Sequence, residues 1–147
     1  MQISVATEAD TDELSVILGE IEHYYGGEPV PGDPEQIRRA LFSSSPAATV
    51  LLARDGDNVL GLASYTPLWP AAGAETSLFL KELYVRESAR HRGVARALMA
   101  ELRKAAADSG CSRIEWMADA DNPPALDFYE ALGVQPHSGK VFYRVAL

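Results

Sequence analysis

The chain opens with Ile3 and Val5 alternating with polar neighbours, the period-two pattern of a short half-buried strand. Thr7 followed by Asp10 has the spacing of an N-terminal capping arrangement. Leu14, Ile17, Leu18 and Ile21 then recur at helical spacing, and Gly26-Gly27 ends that helix. A turn-rich stretch comes next, in which Asp33-Pro34 forms an N-cap and N1 pair for a second helix carrying Ile37, Leu41 and Phe42 inward. Thr49 to Ala53 is a compact apolar run, Asp55-Gly56-Asp57-Asn58 a hairpin turn, and Val59 to Tyr65 its returning partner. After a Pro/Gly/Ala loop around Trp69, Ser77 to Val85 reads as a third long strand. Val94, Leu98, Leu102 and Ala105 lie on one face of a helix that Gly110 terminates. Arg113 to Met117 predicts a strand, Pro124 to Leu132 a short helix, and Val141 to Val145 a last strand.

This order (strand, two helices, three strands, helix, strand, helix, strand) predicts an α/β fold with a mixed sheet. No linker, repeat or low-complexity tract interrupts it, so one domain is expected over residues 1–147. That length suffices for a single core, and an apolar content of 47% excludes a disordered chain. There is no 18-residue apolar run to suggest a membrane span, and the opening residues lack the pattern of a secretory signal. Cys111, the one cysteine, cannot form an internal disulfide, nor a zinc cage with three scattered histidines. These features together predict a reducing, cytoplasmic setting and no metal.

Charge changes the picture through its distribution. The net charge of −8 argues against nucleic acid as a partner. From Met1 to Ile37, however, there are nine acidic residues and no Lys or Arg, whereas Arg86 to Lys104 carries five Arg and one Lys against Glu87 and Glu101, an excess of 6 − 2 = +4. Such asymmetry predicts two sites of opposite electrostatic preference, or two solvated faces of opposite sign.

The basic segment joins a strand end, Leu83-Tyr84-Val85, to a helix start at Val94. Free backbone N–H groups at a helix start, with the helix dipole, attract anions. Gly93 and Ala95 have little or no side chain to keep a phosphate away, and Arg90, Arg92 and Arg96 add attraction. The fingerprints of dinucleotide and nucleoside-triphosphate loops are both missing.

Arg90-x-x-Gly93-x-Ala95 resembles the [QR]-x-x-G-x-[GA] signature of the GCN5-related N-acetyltransferase (GNAT) family. About 30 residues later, Asn122-x-x-Ala125-x-x-Phe128-Tyr129-Glu130-x-Leu132-Gly133 is similar to that family's N-x-x-A-x-x-F-Y-E-x-L-G segment at every named position. The resemblance covers essentially the whole chain and implies a mixed, mostly antiparallel central sheet flanked by helices. It also implies acetyl-CoA as cofactor. Its pyrophosphate would be held by backbone groups from His91 through Arg92, Gly93, Val94 and Ala95 to Arg96, and its pantetheine arm would lie along Leu83, Tyr84 and Val85. Asn122 matches a cofactor-contacting position, and Phe128 would be buried beside an exposed Tyr129. Family members also pair through sheet edges, so a homodimer is compatible with the resemblance.

Acetyl transfer to an amine needs a neutral nucleophile, stabilisation of an oxyanion and protonation of a departing thiolate. Tyr129 matches the position of the family's general acid; the alternative is a core tyrosine with a tied hydroxyl. Glu82 interrupts an apolar strand, and alternation would point Leu80, Glu82 and Tyr84 one way. It is therefore a candidate base or ammonium anchor, or else one half of a structural ion pair. Glu20, Glu22, His23, Tyr24, Tyr25 and Glu28 concentrate acidic and aromatic groups that can hold a cationic amine, with Tyr65, Trp69 and Phe79 as candidates to complete the pocket.

This set resembles the spermidine/spermine and thialysine type of diamine acetyltransferase, but Lys81 stands where that group has Glu. A lysine there repels a second cation and favours an acceptor with a carboxylate or phosphonate near its amine. The sequence thus predicts a small-molecule amine acetyltransferase. Acetylation of a protein lysine or N-terminus, and acyl-CoA sensing without turnover, remain alternatives.

Overall fold

Five strands form one sheet in chain order: β1 (Gln2–Val5), β2 (Thr49–Asp55), β3 (Asn58–Leu68), β4 (Ser77–Val85) and β5 (Arg113–Trp116). The first four are antiparallel neighbours and β5 runs parallel to β4, giving the expected mixed, mostly antiparallel sheet. The helices are α1 (Thr11–Tyr24), α2 (Pro34–Leu41), α3 (Val94–Asp108) and α4 (Pro123–Ala131). The structure, a computed structural model, describes all 147 residues, which divide into two units, 1–116 and 117–147.

In residues 1–116, α1 and α2 cover one face of the sheet. Leu14, Ile17 and Ile21 of α1 and Ile37 of α2 pack with Val50, Leu52, Leu62 and Tyr84. The caps are those the sequence predicts. Thr7 and Asp10 form a capping box ahead of α1, and Asp33 accepts from the Glu35 and Gln36 N–H groups with Pro34 at the first turn. The crossover helix α3 buries Val94, Leu98, Met99, Leu102 and Ala106 against the opposite face, where Leu51, Ala53 and Ala63 are also buried. Leu18, expected inward, is 39% exposed and packs beside Gly32 in the loop after α1.

Two features of β4 shape the site. Its ladder with β5 runs only from the Ser77–Arg113 pair to the Leu80–Trp116 pair, so β4 extends five residues further, to Val85. Its ladder with β3 shifts register at Lys81, the extra residue between the Leu80–Tyr65 and Glu82–Ser64 pairs. The bulge corrects the expected alternation. Glu82 and Tyr84 share the α1 face with Ser64 and Leu62, but Leu80 lies with Tyr65 on the α3 face.

In residues 117–147, Asn122 caps α4 through its side-chain oxygen, which accepts from the Ala125 N–H at 3.4 Å. The helix closes on Gly133 in the left-handed conformation, with the Val134 N–H bonded to the Tyr129 carbonyl. The expected strand at Val141–Val145 has no regular element within this unit. A strand needs a partner ladder, which the β-branched and aromatic composition of a segment does not by itself supply.

Candidate active site

Between β4 and α3 the chain makes a short 3-10 turn, Glu87–Ala89, and reaches Gly93 with φ of +78°. His91 also has positive φ, +60°, uncommon for a residue with a side chain. Gly93 is the N-cap of α3. No side chain caps this helix and its first turn holds no acidic residue. The first N–H groups of α3 therefore lie at a positive dipole end, in a turn that includes the small residues Gly93 and Ala95. Such a start favours an anion, and the sequence motif lies at a strand-to-helix turn, as expected.

The arginines around this turn differ from one another in their partners. Arg86, half-buried, donates to Glu20 through Nε at 3.1 Å and Nη2 at 2.9 Å, to Glu13 at 2.6 Å and to the Val59 carbonyl at 3.0 Å. Burial of the guanidinium works against its charge, but the bonds to Glu20 and Glu13 outweigh that and leave its pKa raised. Arg92 pairs with Asp55 at 3.3 Å, and Lys104 with Glu101 at 3.7 Å. The acidic stretch is similarly engaged. Glu13 and Glu20 hold Arg86, Asp10 holds Arg54, and Glu8 and Glu35 hold Arg38. Arg86 is thus the residue of the basic segment that is paired with the acidic stretch, through Glu13 and Glu20.

Arg90 turns away from the helix start. Its Nε donates to the Val85 carbonyl at 3.2 Å, and its guanidinium carbon lies 5.3 Å from the Tyr24 ring centroid. Tyr24 in turn meets Tyr25 and Tyr84 edge-on, at 5.2 and 6.2 Å between centroids. The Tyr84 hydroxyl reaches Glu20 at 3.5 Å. Burial, then the Glu20 charge, raises the Tyr84 pKa.

The structure joins part of the expected acceptor set. Tyr25, just after α1, donates to Glu82 on β4 at 3.2 Å, so Tyr24, Tyr25, Glu82 and Tyr84 form one group. Glu22 and His23 lie on the last turn of α1: the Gly27 N–H bonds the Glu22 carbonyl, and His23 Nδ1 stands 3.4 Å from the Gly27 carbonyl. Glu28 comes next, in the loop. Trp69 donates its indole N–H to the Ala74 carbonyl at 3.0 Å, which closes the loop before β4.

Tyr65 is not brought to this group. Paired with Thr49 and Leu80 it faces α3, where burial, and further the Glu101 charge, raises its pKa. An open cleft beside the group is lined by Glu20, His23, Pro29, Tyr84, Arg86, Glu87 and Ser88. Of these, Pro29, Arg86, Glu87 and Ser88 are not expected on the acceptor side from sequence, because no local pattern reveals a pairing 66 residues apart in the chain.

In residues 117–147, Phe128 and Tyr129 are adjacent on α4 with ring centroids 5.3 Å apart, and Asn122 serves as the cap of that helix.

Comparison with known proteins bears on the same segments. The acetyltransferase (GNAT) family profile matches residues 17–134. The chain is 30% identical over 77 residues to an L-ornithine N5-acetyltransferase of Arabidopsis thaliana, an alignment covering 52% of this chain and 34% of that protein. It therefore spans about a third of that relative's length. It is 31% identical over 122 residues to an aminoglycoside N(6')-acetyltransferase type 1 of Serratia marcescens, covering 79% of this chain and 84% of that protein. Among solved structures, an integron cassette protein from the mobile metagenome of V. cholerae superposes with a TM-score of 0.85 at 31% identity, over 99% of this chain and 91% of that one.

Proposed function

Because the chain belongs to the GNAT family of acetyltransferase enzymes, we propose that it transfers an acetyl group directly from acetyl-CoA to a primary amine of a small cationic molecule, within a ternary complex. The observation that carries the reading is the unit built by β4 and α3. The strand runs on past its ladder with β5, and the turn after it delivers an uncapped helix start at Gly93.

In this reading the cofactor supplies a thioester-activated acetyl group. The backbone N–H groups from His91 to Arg96 hold its diphosphate, because a helix start without cap or acid favours an anion. The end of β4 beyond its ladder with β5, Leu83 to Val85, offers backbone groups to the pantetheine arm, and Asn122 and Phe128 complete the cofactor set on the motif match alone. The Arg90 side chain, bonded to Val85 and stacked on Tyr24, is not assigned to the phosphates.

On the acceptor side, Glu82 is the base or ammonium anchor. It lies on a strand with the Tyr25 hydroxyl as a hydrogen-bond donor, which orients the carboxylate at the end of α1. Tyr24, Tyr25, Glu22, His23 and Glu28 at the end of α1, with Trp69, supply rings and charge for a cation. Tyr129 is the acid that protonates the departing thiolate, a role carried by its place in the motif.

Lys81 argues for an acceptor bearing an anionic group beside its amine. It is the bulged, exposed residue next to Glu82, so a second cation placed there is repelled. Ornithine, for which one relative is named, has two amines, but its carboxylate sits beside the second one and offsets that charge, which is the kind of acceptor Lys81 allows. The single cysteine supports a reducing, cytoplasmic setting as part of the same proposal.

The test is thiol release from acetyl-CoA with a panel of amino acids, aminoglycosides and polyamines, followed by mass identification of the product. Turnover with a diamino acid is the expected result. Turnover with peptides alone moves the function to protein acetylation, and CoA binding without any release moves it to sensing.

A further inference from the structure

The turn before α3 and the end of α1 share one side chain. Arg90 comes after the 3-10 turn and precedes Gly93 by three residues, yet its guanidinium is bonded to the Val85 carbonyl and laid against the Tyr24 ring. Tyr24 contacts Tyr25 and Tyr84, and Tyr25 is bonded to Glu82. A continuous set of contacts therefore runs from the anion-binding turn to the carboxylate proposed to meet the amine. No part of it passes through the helix start itself.

We propose that Arg90 is a positioning residue that couples occupancy of the turn before α3 to order at the acceptor end of α1. The inference rests on the reading of that turn as the CoA diphosphate site. Its physical basis is that a guanidinium held at two points, by the Val85 carbonyl and by the Tyr24 face, cannot shift at one without shifting at the other. Fixing the backbone on either side of Arg90 fixes the guanidinium, and a fixed guanidinium restricts Tyr24 and, through it, Tyr25. The second ligand then meets a site whose ordering has already been met by the first, which is positive cooperativity without a large movement. Arg86 does not serve this purpose, because its four bonds to Glu13, Glu20 and Val59 lock it independently of the turn.

Hydrogen exchange of the full chain with CoA alone as the probe tests both levels. Exchange in residues 90–96 reports diphosphate binding, and exchange in residues 21–27 reports coupling. CoA is expected to slow both in the wild type, the second by about fivefold. Arg90→Gln keeps a donor for the Val85 carbonyl but loses the ring contact. Tyr24→Leu removes the ring and leaves the turn intact. Both are expected to keep protection at residues 90–96 and to lose it at residues 21–27, whereas Tyr24→Phe keeps both. Protection confined to residues 90–96 in the wild type overturns the coupling while leaving the CoA site standing. Retained protection of residues 21–27 in Arg90→Gln, or in Tyr24→Leu, overturns it too. No protection at residues 90–96 in the wild type overturns the CoA site itself and, with it, the coupling.

Discussion

Tyr25 and Glu82, 57 residues apart in the chain, meet through a 3.2 Å hydrogen bond from the phenol to the carboxylate. One residue follows the first helix and the other interrupts an apolar strand, so the bond ties the acidic-aromatic stretch to the strand that leads into the turn before α3. If Glu82 accepts the proton of the incoming ammonium, Glu82→Gln removes the acceptor while keeping the shape. Turnover is expected to fall by about 10²- to 10⁴-fold with CoA affinity unchanged. Tyr25→Phe removes only the orienting bond and is expected to raise the amine KM by about tenfold or less. Steady-state thiol release and calorimetry with CoA check both, and a normal rate in the Glu82→Gln variant would remove Glu82 from proton transfer.

Tyr129 carries a separate expectation. A phenol can donate a proton to a thiolate, and phenylalanine cannot. Tyr129→Phe should lower kcat by about 10²-fold or more while leaving the CoA dissociation constant within a factor of about two. The pH-rate profile provides a second readout, since an essential phenol gives a basic limb that disappears in the variant.

The fold was legible where local chemistry decides it. Asp33-Pro34, the Asp55–Asn58 turn and the Val94-Leu98-Leu102 stripe each name their element without long-range information, and the two motifs name the family. Three things were not legible. Lys81 as a bulge residue depends on the register between β3 and β4, so Leu80, expected on the Glu82 face, lies on the other together with Tyr65, a candidate for the acceptor pocket. The Arg86 ion pairs join residues up to 73 positions apart, and a basic residue in a basic run gives no sign that it is already neutralised. Val141–Val145 has the β-branched and aromatic composition of a strand, but composition specifies no partner.

Arg86 supplies the next expectation. Its guanidinium spans Glu13 and Glu20 on α1 and the Val59 carbonyl on β3, with 22% of its side chain exposed. Arg86→Ala leaves two carboxylates together without a cation, so a loss of about 2–4 kcal/mol in unfolding free energy is expected, less than for a fully buried pair. Arg86→Met keeps more of the packing but restores no charge, and should recover only a minority of the loss. Urea unfolding followed by circular dichroism measures both. A midpoint shift within error for Arg86→Ala would mean that α1 is held to the sheet by its apolar face alone.

Asp10 sets an expectation for acid stability. Burial of its carboxylate acts to raise its pKa, but hydrogen bonds from the Thr7 N–H and from Arg54, with the Arg54 charge, outweigh burial and hold it below the ordinary 3.8. A carboxyl whose pKa is lower folded than unfolded stabilises the fold wherever it is ionised in both states, so the contribution is fully present above pH 3.8. As pH falls below that value the unfolded chain takes up the proton first, and stability declines until the folded carboxyl is protonated as well. Asp10→Asn removes the titrating group. The variant should be less stable than the wild type at pH 7, by about 1–2 kcal/mol for the lost charge-assisted bonds, and the difference should shrink through the range below pH 3.8. Urea midpoints from about pH 2.5 to 7 test this directly. A gap between the two proteins that stays constant across that range would assign the role of Asp10 to shape and hydrogen bonding, with no part for its charge.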